Sequence, residues 1–428
     1  MIKTLDTRNT NFDIKLNNLL LVRKKKIQFS SVYVSKVVKD IKKNGDKSII
    51  KYEKKFNKNS TIIPNLKKIK KSISLLDPEV KKAIDIAYNR IYKFHSLQKA
   101  KDISYTDKLK NKLDYKFIPI NSVGIYVPGS SVSYPSSVLM NAIPALVAGV
   151  KRIAMINPGK NGKLDPAVLY AAKKCKINEI YSIGGPAAIA GIAYGTKKIK
   201  KVDKIVGPGN SYVTAAKREV FGDVGIESMI AGPSEITVVC DKFSNAEWVA
   251  SDLIGQAEHD KLAQCILISK DKKLIQKIKF SIANQLKKLP RFSIAKKSLK
   301  LNGILIYCPS NKKIIEVVNN IAPEHLELNI KNYKKMVKEI KNAGSICLGK
   351  YAVMAMTDYN IGSNHVLPTN GSAKYSSGIS VNEFVKRISY VNLSKKGIES
   401  LGPSVITLAN YEGLAGHAQS VKKRIRRK

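Results

Sequence analysis

Ser122-Val123-Gly124-Ile125-Tyr126-Val127-Pro128-Gly129 is a nearly unbroken apolar run closed by Pro-Gly, and it reads as a buried strand ended by a turn. Pro135-Ser136-Ser137 then opens an apolar helix that reaches about Val150. Outward from there the alternation continues, with a strand at 152–156, a loop at 157–163 and a helix at 165–174. A strand at 179–183 ends on Gly184-Gly185 and leads into a helix near Ala187. Another, at 202–206, ends on Gly207-Pro208-Gly209-Asn210 and feeds a helix at 211–221. Strands alternating with helices imply a parallel sheet with right-handed crossovers.

From Ile236 the pattern starts again: strands at 236–240, 264–268 and 304–307, with helices at 245–259, 273–286 and 312–320. The expected fold class is therefore α/β, two doubly wound, Rossmann-like parallel-sheet domains in series. Smaller, mostly helical N- and C-terminal parts flank them. Residues 1–120 carry helical periodicity, as where Asp77-Pro78 opens a helix reaching about Leu97. His95 lies in that helix and reads as structural or solvated.

The 428 residues leave room for several domains, and an apolar fraction of 44% fits a soluble globular chain. No stretch has the roughly 18 uninterrupted apolar residues of a membrane helix, and Met1-Ile2-Lys3-Thr4-Leu5-Asp6 lacks the layout of a secretion signal. Five scattered cysteines without a Cys-x-x-Cys pair point to a reduced, cytoplasmic setting and against a thiolate metal site. The net charge of +44 taken alone suggests a nucleic-acid binder. Only ten of the 76 basic residues are Arg, however, and the Lys excess is spread along the chain beside abundant Ile, Asn and Tyr. That pattern is compositional bias on a solvated surface; the one true basic cluster is the tail at 421–428. No specific nucleic acid and no membrane is expected as partner.

Glycine turns between strand and helix let backbone amides approach an anion at a helix N-terminus, or simply make tight turns. Gly184-Gly185 and Gly207-Pro208-Gly209-Asn210 are so placed, although neither is a Gly-x-Gly-x-x-Gly motif. Gln256 and His259, three apart on a helix, share a face and are able to hold zinc. Asp358, His365 and His417 add candidate ligands, and four of the five histidines fall after residue 258. In Ala322-Pro323-Glu324-His325 a carboxylate and an imidazole stand side by side as two bases, at an expected turn or helix start. Spacing alone leaves each of these open to an ordinary surface reading.

Taken together, Gln256-Ala257-Glu258-His259, Ala322-Pro323-Glu324-His325-Leu326-Glu327, Asn364-His365-Val366-Leu367-Pro368-Thr369, Ala231-Gly232-Pro233-Ser234-Glu235 and Gly207-Pro208-Gly209-Asn210 resemble segments of the histidinol dehydrogenase family. The resemblance runs from about residue 26 onward and is clearest over 121–420. It implies NAD-dependent oxidation of L-histidinol to L-histidine by way of the aldehyde. It implies zinc on Gln256, His259, Asp358 and His417, and substrate contacts at Ser234, Gln256, His259, His325, Asp358, Glu412 and His417. Glu324 and His325 are the implied catalytic bases. NAD contacts fall on Tyr126, position 187 and Asn210. The family has Gln at the middle one, where this chain has Ala187, so one cofactor hydrogen bond worth about 0.5–1.5 kcal/mol is expected to be missing. Ser130, where many relatives have Gly, is a smaller departure.

The implied layout has an N-terminal arm at 1–25. A first α/β domain of 26–120 plus 235–377 carries the zinc and catalytic residues. A second, at 121–234, carries the NAD contacts. A small dimerisation segment at 378–428 supplies Glu412 and His417 to the other copy of a homodimer. The rival readings are a zinc and NAD dehydrogenase of another polar alcohol, which the histidine and carboxylate set argues against, and the basic nucleic-acid binder.

Overall fold

A computed structural model describes residues 2–25, 31–129, 132–227 and 232–425. Ser130, Ala231 and the tail residues Arg426, Arg427 and Lys428 lie outside the described residues. Within them the strands, in chain order, are β1 (Lys3–Asp6), β2 (Ile103–Thr106), β3 (Lys112–Pro119), β4 (Ser122–Tyr126), β5 (Arg152–Ile156), β6 (Glu179–Tyr181), β7 (Lys204–Val206) and β8 (Gly225–Ile226). They continue as β9 (Glu235–Cys240), β10 (Gln264–Ser269), β11 (Gly303–Tyr307), β12 (His325–Asn329), β13 (Ser345–Leu348) and β14 (Val385–Asn392).

The apolar run at 122–126 is β4, buried at all five positions because helices cover both faces of its sheet. That sheet is parallel, in the order β6-β5-β4-β7-β8. Alternation along β5 shows the two faces. Ile153 and Met155 pack with the helices Pro135–Ala148 and Pro166–Lys174. Ala154 and Ile156 pack with the helices Gly185–Tyr194 and Ser211–Glu219. Cutting fully buried Ile156 back to Ala would cost about 2–5 kcal/mol.

The second parallel sheet has the order β1-β11-β10-β9-β12-β13. Ile236 and Val238 of β9 face one apolar layer, and Val239 faces the other. The two doubly wound sheets are thus as expected. Three features around them are not.

The expected N-terminal arm joins the six-stranded sheet: β1 pairs with β11, Lys3 opposite Ile304, and Phe12 and Leu16 of the following helix are buried beneath the sheet. The helices of 31–96 pack their apolar faces on the five-stranded sheet, and the last of them also bonds to 360–364 through Arg90 and His95. Val34, Val37 and Ile41 meet Ile189 and Ile192, while Ile84 and Ile91 meet Val138 and Ile143. Amphipathic periodicity shows that a helix has an apolar face but not which sheet it covers. Finally, β2, β3 and β14 form an antiparallel sheet, the last strand in the region expected to be mostly helical. Beyond it, the helices Lys395–Tyr411 and Ala415–Ile425 form a hairpin that buries only Gly397, Gly402, Ala409 and Ala418.

Candidate active site

The helix Asn311–Ile321 stops at Ala322, which adopts φ +48 and donates its N–H to the Val318 carbonyl. Pro323 has no N–H to continue the helix, so the chain turns directly into β12. Glu324 and His325 therefore sit at the start of a strand, where a turn or helix start was expected. Alternation puts His325 and Glu327 on the same face. Glu324 is 6% exposed, and its Oε2 accepts the Glu235 N–H at 2.7 Å. Ser234 precedes β9 at the same edge of the sheet, its carbonyl accepting from the Gln264 N–H at 2.9 Å.

His325 is 3% exposed, with Nε2 3.6 Å from Asp358 Oδ1 and no hydrogen bond at Nδ1. Burial, reinforced by His365 and His259, pulls its pKa down to about 3, so the ring is neutral. Burial pushes the Asp358 carboxyl up to about 7, and its Oδ1 has no hydrogen-bond partner. Gln256 is 1% exposed, with both side-chain polar atoms unpaired. A buried polar group left without a partner costs about 1–3 kcal/mol, so this cluster is arranged for a polar or charged guest.

The helix Ala246–Ala257 ends before His259, so Gln256 and His259 do not share a regular helical face. The His259 N–H instead bonds to the Gln256 carbonyl at 3.3 Å, which keeps the two adjacent. The His259 ring is open to solvent on one side. The protein around it, more than the Arg291 charge, holds its pKa below the ordinary value, against a pull from Glu258. His365 bonds through Nδ1 to the Asp358 carbonyl at 2.8 Å and through Nε2 to Ser137 Oγ at 3.2 Å. Because Ser137 lies in the first turn of the helix after β4, this pair joins the two parallel-sheet units at the cluster.

Of the four expected ligands, Asp358 lies 3.6 Å from His325, His259 is near enough to help lower its pKa, and Gln256 stays beside His259 through the backbone. His417 and Glu412 do not join them: both are exposed on the C-terminal hairpin. Among the described residues no three His, Cys, Asp or Glu side chains are grouped to hold a metal ion. The unpaired Gln256 Oε1 and Asp358 Oδ1 are nevertheless oxygen donors that suit a cation.

All of this lies at the N-terminal edge of the six-stranded sheet, whereas ligands of open α/β sheets ordinarily bind at the C-terminal edge. The helices Ala246–Ala257 and Met354–Tyr359 run back toward that edge and deliver Gln256 and Asp358 there. A carboxyl pair escaped the sequence reading. Glu327 takes the Met354 N–H at 2.7 Å and shares a hydrogen bond with Asp252. Burial raises both pKa values, that of Asp252 to about 6. The signal was present, since Glu327 is two along the strand from His325, and Asp252 is one helical turn before Gln256.

The expected cofactor residues line the C-terminal edge of the five-stranded sheet. Tyr126 ends β4, and Asn210 follows β7, its neighbour across the point where strand order reverses. Tyr126 is buried, which pushes its hydroxyl up to about 12, and that oxygen accepts the Gly185 N–H at 3.2 Å. Asn210 caps its helix by accepting the Tyr212 and Val213 N–H groups, each at 3.1 Å. The Gly184 N–H is held by Glu53 Oε1 at 2.8 Å, a contact with no sequence signal. Ala187 is 3% exposed within the apolar layer. The Gly184 and Gly185 amides are therefore taken by the protein's own groups.

The family model described as histidinol dehydrogenase matches residues 22–425. Histidinol dehydrogenase of Pelagibacter ubique (strain HTCC1062) is 76% identical over 428 residues, the whole of both chains. Histidinol dehydrogenase 1 of Trichormus variabilis is 44% identical over 98% of each chain. A crystal structure of histidinol dehydrogenase from Elizabethkingia anophelis superposes with a TM-score of 0.92 at 38% identity, over 99% of this chain and 98% of that one. The chain belongs to the histidinol dehydrogenase family.

Proposed function

We propose that this protein oxidises L-histidinol to L-histidine with NAD in two successive steps, at a site centred on His325. The carrying observation is the neutral, buried His325 set among the unpaired polar atoms of Gln256 and Asp358. When bound, zinc on Gln256, His259, Asp358 and the His417 of a second copy orients the substrate's nitrogens, and NAD carries away hydride.

His325 takes the hydroxyl proton in the first oxidation, because an alkoxide-like carbon expels hydride far more readily than a protonated alcohol. Glu324 draws a proton from water, which adds to the aldehyde. His325, having passed its first proton to solvent, then removes the next proton in the second oxidation. Two adjacent bases serve separate proton removals. Ser234 and Glu412 contact the substrate. Tyr126, Asn210 and the backbone near Ala187 receive the dinucleotide.

Dimerisation belongs to the same reading. The hairpin exposes Leu401, Val405, Leu408, Tyr411 and Leu414, an apolar set that a second copy would cover while receiving Glu412 and His417. The test is NADH formation from histidinol, with two NADH expected per histidine. No turnover by zinc-loaded protein would overturn the reading. No described helix is long and apolar enough to cross a membrane.

A further inference from the structure

Lys217 and Glu227 form an ion pair whose side chains are each 5% exposed, with the ammonium 3.1 and 3.2 Å from the two carboxylate oxygens. Neither group touches the bases or the zinc cluster. Both instead hold one residue, Gly207. The Lys217 ammonium donates to the Gly207 carbonyl at 2.6 Å, and Glu227 Oε1 accepts the Gly207 N–H at 3.1 Å. Gly207 has φ +107, and a Cβ there would lie 2.2 Å from the Tyr126 carbonyl oxygen. The peptide groups flanking Gly207 are therefore gripped on both sides while the residue is pressed against the end of β4.

A buried ion pair adds little net stability, because desolvating two charges offsets most of their attraction, and apolar residues of similar volume often serve as well. What such a pair supplies is a fixed geometry. Here that geometry is the start of Gly207-Pro208-Gly209-Asn210, the turn opposite Tyr126 where the strand order reverses. We infer that Lys217 and Glu227 are positioning residues for the dinucleotide, holding the Gly207–Asn210 turn in the shape that receives it. The inference rests on the reading of this crevice as the NAD site.

The test is steady-state kinetics on the zinc-loaded double variant Lys217→Met/Glu227→Met, beside the milder Glu227→Gln, which keeps an acceptor for the Gly207 N–H. The KM for NAD should rise at least tenfold in the double variant and about threefold in Glu227→Gln. The kcat at saturating NAD and the KM for histidinol should stay within twofold. A merely structural pair would lower kcat or alter both KM values together, and that result would overturn the inference. So would an unchanged KM for NAD in either folded variant. Asn210→Asp separates this from failure of the crevice reading, since it keeps the helix cap but sets a negative charge against the dinucleotide's phosphates. If Asn210→Asp raises the KM for NAD and the clamp variants do not, only the clamp is wrong. If Asn210→Asp leaves it unchanged, the crevice is misassigned and the clamp falls with it.

Discussion

The N-terminal edge of the six-stranded sheet and the C-terminal edge of the five-stranded sheet treat their polar groups in opposite ways. At the first, the polar atoms of Gln256, one oxygen of Asp358 and one nitrogen of His325 are buried and unpaired. At the second, the amides of Gly184, Gly185 and Gly207 are taken by Glu53, Tyr126 and Glu227. One edge keeps its bonding capacity for a guest, and the other spends it on its own shape. A guest at the first edge gains strong directional bonds, while a guest at the second must bind by fit. Substitutions should accordingly be severe at the first edge and graded at the second.

The largest expected effect tests whether the first edge is completed by another copy. His259→Ala and His417→Ala should each be inactive alone. Co-expressed, they should regain activity, because one site of a hybrid dimer holds every ligand. A mixture as inactive as its parts would place each site within one chain and break the contrast.

Next come the bases. His325→Asn should slow both half-reactions by about 10²–10⁴-fold, the usual range for a lost general base. Glu324→Gln should slow aldehyde oxidation more than alcohol oxidation, since only the former needs activated water. Single-turnover measurements from histidinol and from histidinal distinguish the two. Equal losses would remove the division of labour.

The metal-free protein offers a third test, through stability against pH. His325 and His365 have folded pKa values lowered to about 3 and about 4 by burial, from an ordinary value of 6.5. The unfolded chain therefore binds protons that the folded chain refuses. Their contribution is present above about pH 6.5 and is lost as pH falls through the folded values. Asp252, raised to about 6 by burial, works the other way: its contribution is present below 3.8 and lost as pH rises through about 6. His365→Asn removes one histidine contribution, so the acid limb of thermal melts of metal-free protein, below about pH 6.5, should be shallower in that variant than in the parent. An acid limb unchanged by that substitution would count against the burial of a neutral His365.

The smallest effect belongs to Ala187→Gln. Buried in the apolar layer, position 187 accepts Gln only if the amide extends into the crevice. NAD affinity should then improve at most about tenfold, the equivalent of one hydrogen bond. A lower melting temperature with unchanged NAD affinity would make the position one of packing alone.

The core of the fold was legible because parallel strands buried on both faces leave short apolar runs, as at 122–126, bounded by glycine turns. The antiparallel sheet was not, because β2 and β3 are polar and largely exposed and carry no such run. Zinc-ligand candidates such as Gln256 and His259 were visible as chemistry. Their gathering at the N-terminal strand edge was hidden, since it depends on how far two returning helices reach. Glu53 and Glu227 were invisible for a related reason: a carboxylate that seats a distant amide has no local pattern.

β1 pairs with β11, Lys3 opposite Ile304, so the edge of the six-stranded sheet joins segments about 300 residues apart. On a ribosome adding about 5–20 residues per second, the first strand waits some 15–60 s for its partner. During that wait the strands and main helices of the five-stranded unit are already made, while Ile379, Val381 and Phe384 of its apolar layer come later. The six-stranded sheet is bracketed around it in sequence and is complete only after β13 has been made. Synthesis thus delivers the five-stranded sheet first and completes the edge that carries His325 afterwards, so the Ser137 surface that His365 meets is made before the unpaired polar cluster is complete.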